Sequence, residues 1–141
     1  MKRFITLLLF LSMAAFGAAA QDSMMMAADG PGSHMGGLGD YMGLEDASMK
    51  TSEGPVVLFF YADWCPTCQA ELNNIKAEKE KLGDITVLIV NYDKEKTLKR
   101  KYGVTYQHTY VQIDSHGNSI ALWNGGGIDE ILAKTVRKEM N

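Results

Sequence analysis

The two cysteines of the chain, Cys65 and Cys68, stand in the sequence Trp-Cys-Pro-Thr-Cys (residues 64–68). A disulfide between them would close so short a loop that it would remove little entropy from the unfolded chain, so the pair is poorly placed as a structural crosslink. A structural zinc site needs about four ligands, of which this pair supplies half. His108 and His116 lie far along the chain without a ligand-like spacing. The pattern therefore predicts a redox-active Cys65–Cys68 disulfide and no bound metal.

The position of the pair suggests a division of labour. Cys65 is expected at the N-terminus of the helix that carries Cys68, where unpaired N–H groups and the helix dipole stabilise a thiolate. We expect Cys65 to be the exposed nucleophile and the more buried Cys68 to resolve the mixed disulfide. Pro66 and Thr67 lie between them and tune the reduction potential. Because neither is histidine or lysine, we expect a reductant or an enzyme of intermediate potential.

The elements that position the cysteines follow from the hydrophobic pattern. The apolar run Val56–Tyr61 is typical of a strand buried on both faces. The predicted order is a helix at 44–52, a strand at 56–61, a helix from the cysteines to Leu82 that Gly83 ends, a strand at 85–92, a helix at 94–102, strands at 109–114 and 119–123 joined by a hairpin, and a helix at 128–140. This order predicts an α/β fold whose mixed central sheet carries helices on both faces.

Residues 1–20 have the pattern of a cleavable signal peptide. Lys2 and Arg3 precede the apolar stretch 4–16, and small alanines precede a cut near Ala20–Gln21. A membrane anchor is the alternative, but the apolar stretch is shorter than the roughly 20 residues that span a bilayer. We therefore predict a periplasmic or otherwise exported protein, without stable membrane insertion after cleavage, in a compartment where disulfides form and turn over.

Residues 21–40 are rich in glycine and small side chains and show no helical or strand period, which predicts a flexible Met/Gly-rich linker before a domain at 41–141. The linker contains side chains of the types that bind copper, namely Met24, Met25, Met26, His34 and Met35. A copper-handling binding protein is therefore an alternative function. The formal net charge of −3 offers no attraction for nucleic acid or for an anionic membrane surface.

The segment from Phe60 to Cys68, Phe-Tyr-Ala-Asp-Trp-Cys-Pro-Thr-Cys, resembles the active-site segment of the thioredoxin family, and the element order over the last hundred or so residues resembles the family's fold. The resemblance implies a thioredoxin fold and dithiol–disulfide exchange with protein or peptide disulfides, without a cofactor. The exported form is similar to bacterial periplasmic thioredoxin-like proteins, which are commonly reductants recharged by a thiol-transporting membrane protein. A disulfide oxidase is the further alternative, although such enzymes usually carry a large helical insertion for which this chain leaves no room.

Three positions depart from the family's pattern. Phe59 stands where thioredoxins have a buried aspartate beneath the active site, so Glu71 and water are the remaining candidates for the proton acceptor of Cys68. His108 stands where the family has a cis-proline. A cis bond before another residue type costs about 2.5–4 kcal/mol, so we expect a trans or a strained peptide there. Asn73 lies near the place of the proline that kinks the active-site helix.

The matched positions also suggest residues that flank the cysteines. The residues expected to form the substrate loop or to tune the site are Trp64, Pro66, Thr67, Gln107, His108 and Thr109. The imidazole of His108 is expected near Cys65, where it would favour the thiolate or exchange protons. The alternative is a loop histidine without a catalytic part. Tyr61 is assigned equally to the active-site surface and to the core, and Trp123 to the hairpin or the core.

Overall fold

The structure is a computed structural model that describes residues 36–137. The predicted signal peptide, residues 21–35 of the predicted linker with its copper-ligand candidates, and the last four residues lie outside the described residues. Within residues 36–137, no helix has both the length and the apolar character that crossing a bilayer requires.

A mixed five-stranded sheet forms the centre of the fold. Its strands are β1 (Leu38–Asp40), β2 (Val56–Tyr61), β3 (Thr86–Asn91), β4 (Thr109–Ile113) and β5 (Ser119–Asn124). They lie in the order β1-β3-β2-β4-β5. The first three are parallel, and β4 and β5 add an antiparallel hairpin beside β2. The predicted mixed sheet is therefore confirmed.

Helices cover both faces of this sheet, as predicted. They are α1 (Leu44–Lys50), α2 (Pro66–Ala77), α3 (Lys96–Tyr102) and α4 (Ile128–Lys134). Ile75 of α2 and Ile131 of α4 pack with the cysteines in the core of one face. Ala47 of α1 and Leu98 of α3 belong to the core of the other face. Strand β2 lies at the centre because its side chains, all apolar, enter both cores.

The predicted end of the linker at residue 40 is wrong, because the chain already forms β1 at Leu38–Asp40. This strand pairs in parallel with the free edge of β3, and the N–H of Val87 donates to the carbonyl of Gly37 at 2.7 Å. A Cβ on Gly36 would overlap the backbone of Ile85, so glycine permits the approach. Such a short, glycine-rich strand has no period of its own and forms only because an edge is available to it.

Two predicted helices are too long. The helix after the cysteines ends at Ala77, and a separate 3-10 turn at Lys79–Leu82 buries Leu82. The last helix, predicted to run to Met140, ends at Lys134, while Met140 itself lies outside the described residues. The buried side-chain amide of Gln112 exchanges two hydrogen bonds of 2.7 Å with the backbone of Val136, which holds the chain extended after α4.

Candidate active site

The junction between β2 and α2 places Cys65 at the start of the helix. The N–H of Cys65 donates to the carbonyl of Ala62 at 3.1 Å, and Pro66 occupies the first helical position, where a missing N–H costs nothing. Cys65 itself is extended and caps the helix. Its Sγ accepts the backbone N–H of Cys68 at 3.2 Å. The predicted location of the pair is confirmed.

The two thiols differ in acidity. Burial raises the pKa of Cys65, but hydrogen bonds from the side chains and backbones of Cys68 and Thr67 outweigh it, so the pKa lies below that of an ordinary thiol. The Oγ1 of Thr67 lies 3.1 Å from the Sγ of Cys65. Burial and the neighbouring Cys65 raise the pKa of Cys68 to about 11, although backbone groups of Ala62 and His108 lower it in part. Both cysteines are free thiols.

The expectation that Cys65 is exposed is wrong. Only 3% of the residue is accessible, because its sulfur turns over the first turn of α2 and packs into the core. Cys68 has no accessible surface, so the predicted order of burial holds. Pro66 and Thr67 are both exposed beside Cys65.

Trp64 forms the open surface next to Cys65. The residue is 59% exposed, yet its ring is held because Nε1 donates to Oδ2 of Asp93 at 2.9 Å. Asp93 lies in the turn after β3, where its own N–H donates to the side-chain oxygen of Asn91. Sequence reasoning missed Asp93. Asp93 follows a buried parallel strand directly, at the same sheet edge as the cysteines. This position in the sequence is the signal that could have identified it as a site residue.

Aromatic rings fill the core beneath the cysteines. Phe59 is fully buried and stacks on Tyr110 with a centroid separation of 4.6 Å, and Tyr110 stacks on Trp123 at 5.4 Å. The three are direct neighbours across β2, β4 and β5. Such pairs contribute about 0.5–1.5 kcal/mol beyond the area that they bury. Trp123 is therefore a core residue, and the half-buried Tyr61 packs edge-on against Phe59.

Glu71 is a buried carboxylate on the same side of α2 as Cys68. Its Oε1, the hydroxyl of Tyr110 and the Nε1 of Trp123 are buried without a hydrogen-bond partner among the described residues. Burial raises the pKa of Glu71, and the neighbouring His108 offsets this only in part. A Cβ on Gly127 would lie 2.9 Å from Oε2, so this glycine lets the start of α4 approach the carboxylate.

The carboxylate also reaches an open cleft between α2 and α4. The cleft has a volume of about 350 Å³. Its lining residues include Glu71, Asn74, Ile128 and Glu130. Glu71 thus lies between the core beneath the cysteines and solvent.

Residues 106–109, here called the His108 loop, lie opposite the cysteines. No peptide bond among residues 36–137 is cis, and His108 is the one non-glycine residue there with a positive φ, of 59°. That conformation costs a non-glycine residue about 1–2 kcal/mol. The N–H of His108 donates to the carbonyl of Phe60 at 2.8 Å, and the backbone of His108 acts on Cys68.

The imidazole of His108 contacts aromatic rings of the core. It packs against Phe59 and Tyr110, with centroid separations of 5.5 and 5.8 Å. Its Nε2 lies 3.0 Å from the carbonyl oxygen of Gly126. This contact joins the half-buried ring to the glycines that follow β5.

Sequence reasoning also missed Asn124, the last residue of β5. Its Nδ2 donates to the carbonyl of Gln107 at 3.0 Å, to that of His108 at 3.2 Å and to Oγ1 of Thr109 at 2.9 Å. Gln107 is half-buried and Thr109 is buried, and both belong to the loop that Asn124 contacts. An asparagine before three glycines is typical of the end of a strand, and no sequence signal indicated that it contacts the loop.

Comparison with solved structures identifies the fold. Thioredoxin f from spinach chloroplast superposes with a TM-score of 0.60 at 20% identity, over 72% of this chain and 93% of that one. The thioredoxin-like protein Trxlp from Edwardsiella tarda superposes with a TM-score of 0.52 at 26% identity, over 68% of this chain and 94% of that one. The expected thioredoxin fold is therefore confirmed.

Sequence comparison supports the same relationship. A thioredoxin from Streptomyces clavuligerus is 34% identical over 59 residues, which are 42% of this chain and 55% of that protein. The curated relatives are matched over between 36% and 56% of their own length. The profile of the AhpC/TSA family matches residues 38–122, which include β1 to β5 almost entirely and both cysteines. The chain belongs to the AhpC/TSA family.

Proposed function

We propose that the protein is a thiol–disulfide oxidoreductase that reduces disulfides of protein or peptide substrates through Cys65 and Cys68. The observation that carries this proposal is the asymmetry of the two thiols at the start of α2. Cys65 caps the helix and is acidified by hydrogen bonds, whereas Cys68 is fully buried with a pKa of about 11. A site in which the first thiol ionises more readily than the second suits a sequential exchange.

The exchange proceeds in two substitutions. The thiolate of Cys65 attacks one sulfur of the substrate disulfide, an S–S bond forms between them, and the other substrate sulfur leaves as a thiolate that takes a proton from solvent. Cys68 then loses its proton and attacks the Sγ of Cys65. The Cys65–Cys68 disulfide forms and the second substrate sulfur leaves. The substrate gains two electrons and becomes a dithiol, while the enzyme is oxidised.

The second substitution requires an acceptor for the proton of Cys68, and we assign this role to Glu71. Cys68 and Glu71 are separated by one turn on the buried side of α2, and Oε1 of Glu71 has no other partner among the described residues. The proton of Cys68 passes to Glu71 and from there to the cleft beside α4, which Glu71 lines.

We further propose that the protein is exported and acts in the periplasm. Residues 1–20 support it by their signal-peptide pattern, and the paired cysteines require a reductant in such a compartment. A thiol-transporting membrane protein is the proposed electron donor.

Replacing Thr67 tests the acidity of the nucleophile. Thr67→Val keeps the shape of the side chain but removes the hydroxyl beside Cys65, so the pKa of Cys65 rises. The rate at which iodoacetamide alkylates Cys65 of the reduced protein is measured as a function of pH. The midpoint of this pH dependence should lie at a higher pH in the variant. Thr97→Val, at an exposed site on α3, serves as the control and should leave the midpoint in place. An unchanged midpoint in Thr67→Val would show that this hydroxyl does not lower the pKa of Cys65.

The roles of the cysteines are separable by substitution. Cys65→Ser should abolish the reduction of insulin disulfides, because the attacking thiolate is gone. Cys68→Ser should stop after the first substitution and accumulate a mixed disulfide at Cys65, which mass spectrometry under non-reducing conditions detects. Normal turnover by Cys65→Ser would contradict the mechanism.

Glu71→Gln separates proton transfer from folding. The variant should form the mixed disulfide at the normal rate but resolve it more slowly, as measured by quenched-flow mass spectrometry. Because burial raises the pKa of Glu71, the folded state favours its protonated form. The stability gained from that preference is present at acidic pH and is lost as the pH rises through the folded-state pKa.

Glutamine mimics the protonated carboxyl, so Glu71→Gln should be more stable than the unmodified protein to urea at neutral pH and equally stable in acid. Glu80→Gln, at an exposed position of the 3-10 turn, is the control and should show neither effect. Resolution at the normal rate in Glu71→Gln would show that another group accepts the proton.

Export is tested on the protein as expressed from its full sequence in a Gram-negative host. The mature protein should appear in the periplasmic fraction, and N-terminal sequencing should begin at Gln21. Full-length protein retained in the cytoplasm would contradict the predicted signal peptide.

A further inference from the structure

The end of β5 and the His108 loop are joined by a dense set of hydrogen bonds. The side-chain amide of Asn124 reaches acceptors on Gln107, His108 and Thr109. The N–H of Gly125 donates to the carbonyl of His108 at 2.8 Å, so that oxygen receives two donors. The carbonyl of Gly126 then accepts from the ring of His108.

These bonds continue through the loop. The Oγ1 of Thr109 accepts from Asn124 and donates to the carbonyl of Tyr106 at 2.7 Å. Every backbone carbonyl from Tyr106 to His108 is therefore bound directly by Asn124 or through the hydroxyl that Asn124 contacts. Because a carbonyl only accepts, the bond to Gly126 also fixes the hydrogen of His108 on Nε2.

The loop needs this support. His108 occupies a left-handed conformation that a residue with a Cβ disfavours, and such a conformation persists only where its surroundings determine it. On its other side, the loop approaches Cys68 through the backbone of His108. A change in the loop therefore reaches the resolving thiol, whereas the pKa of Cys65 is lowered by the side chains of Cys68 and Thr67 and by the backbone of α2.

We propose that Asn124 is a positioning residue for disulfide exchange, whose side-chain amide holds the His108 loop in its left-handed conformation against the cysteines. Asn124 touches neither thiol and acts through His108. The kinetic consequence of this inference rests on the proposed function. The coupling of Asn124 to the conformation of His108 does not depend on that function.

The kinetic test uses Asn124→Ala and Asn124→Asp. Alanine removes the donors, and aspartate keeps the size but places a carboxylate beside three acceptors. Both variants should raise the KM for insulin disulfides by about tenfold, the equivalent of ~1.4 kcal/mol. The alkylation midpoint of Cys65 should not move. Asn118→Ala, in the β4–β5 hairpin far from the loop, is the matched control and should keep the KM.

The conformational test is a double-mutant cycle of unfolding free energies with His108→Gly. Glycine adopts a positive φ without strain, so the loop no longer depends on the amide. Asn124→Ala should therefore destabilise the protein less in the His108→Gly background than in the unmodified chain. Equal effects in both backgrounds would overturn the positioning role, and so would an unchanged KM in Asn124→Ala of an active enzyme. An unmodified protein that fails to reduce insulin would overturn the proposed function, and the cycle would still decide the role of Asn124.

Discussion

The bond from the backbone N–H of Cys68 to the Sγ of Cys65 places the sulfur at the start of α2, and the remaining features of the site follow from that placement. A sulfur in the capping position accepts hydrogen bonds that favour its charged form. The helix then carries Cys68 into the core, where no water reaches the thiol. The start of one helix thus lowers the pKa of one cysteine and raises the pKa of the other. No charged residue between the two cysteines is needed for this difference.

The packing of the core beneath this helix start limits where a buried carboxyl group can lie. Phe59 stacks with Tyr110 across β2 and β4 and leaves no room for a carboxylate on the central strand. The buried carboxyl group lies on α2 instead, as Glu71, where it faces the start of α4 and an open cleft. A carboxylate on the helix edge keeps contact with solvent through the cleft, which a carboxylate on the central strand would lack. This aromatic core leaves the hydroxyl of Tyr110 buried without a hydrogen-bond partner among residues 36–137, which is energetically unfavourable.

The His108 loop shows how a strained turn is held without the ring of a proline. Proline fixes its backbone covalently, whereas here the same segment is fixed by hydrogen bonds from β5. Asn124 supplies the donors because β5 lies directly beside β4 and its last residue reaches the loop before Thr109 enters the sheet. The glycines that follow allow the chain to return beneath the imidazole and begin α4.

The sequence alone determined the redox pair, the central buried strand and the alternation of strands and helices, because these depend on local spacing and on hydrophobic period. It also located Phe59 and Glu71, but the tertiary structure decided what they contact. Strand β1 was not predicted because so short a strand forms only against the edge of β3. The end of α4 was not predicted because a buried glutamine of β4 forms hydrogen bonds with the chain that follows the helix. The same holds at the site. The packing of Cys65 into the core, the contacts of the His108 ring and those of Asn124 all involve residues far apart in the chain, so their physical cause exists only once the sheet has formed.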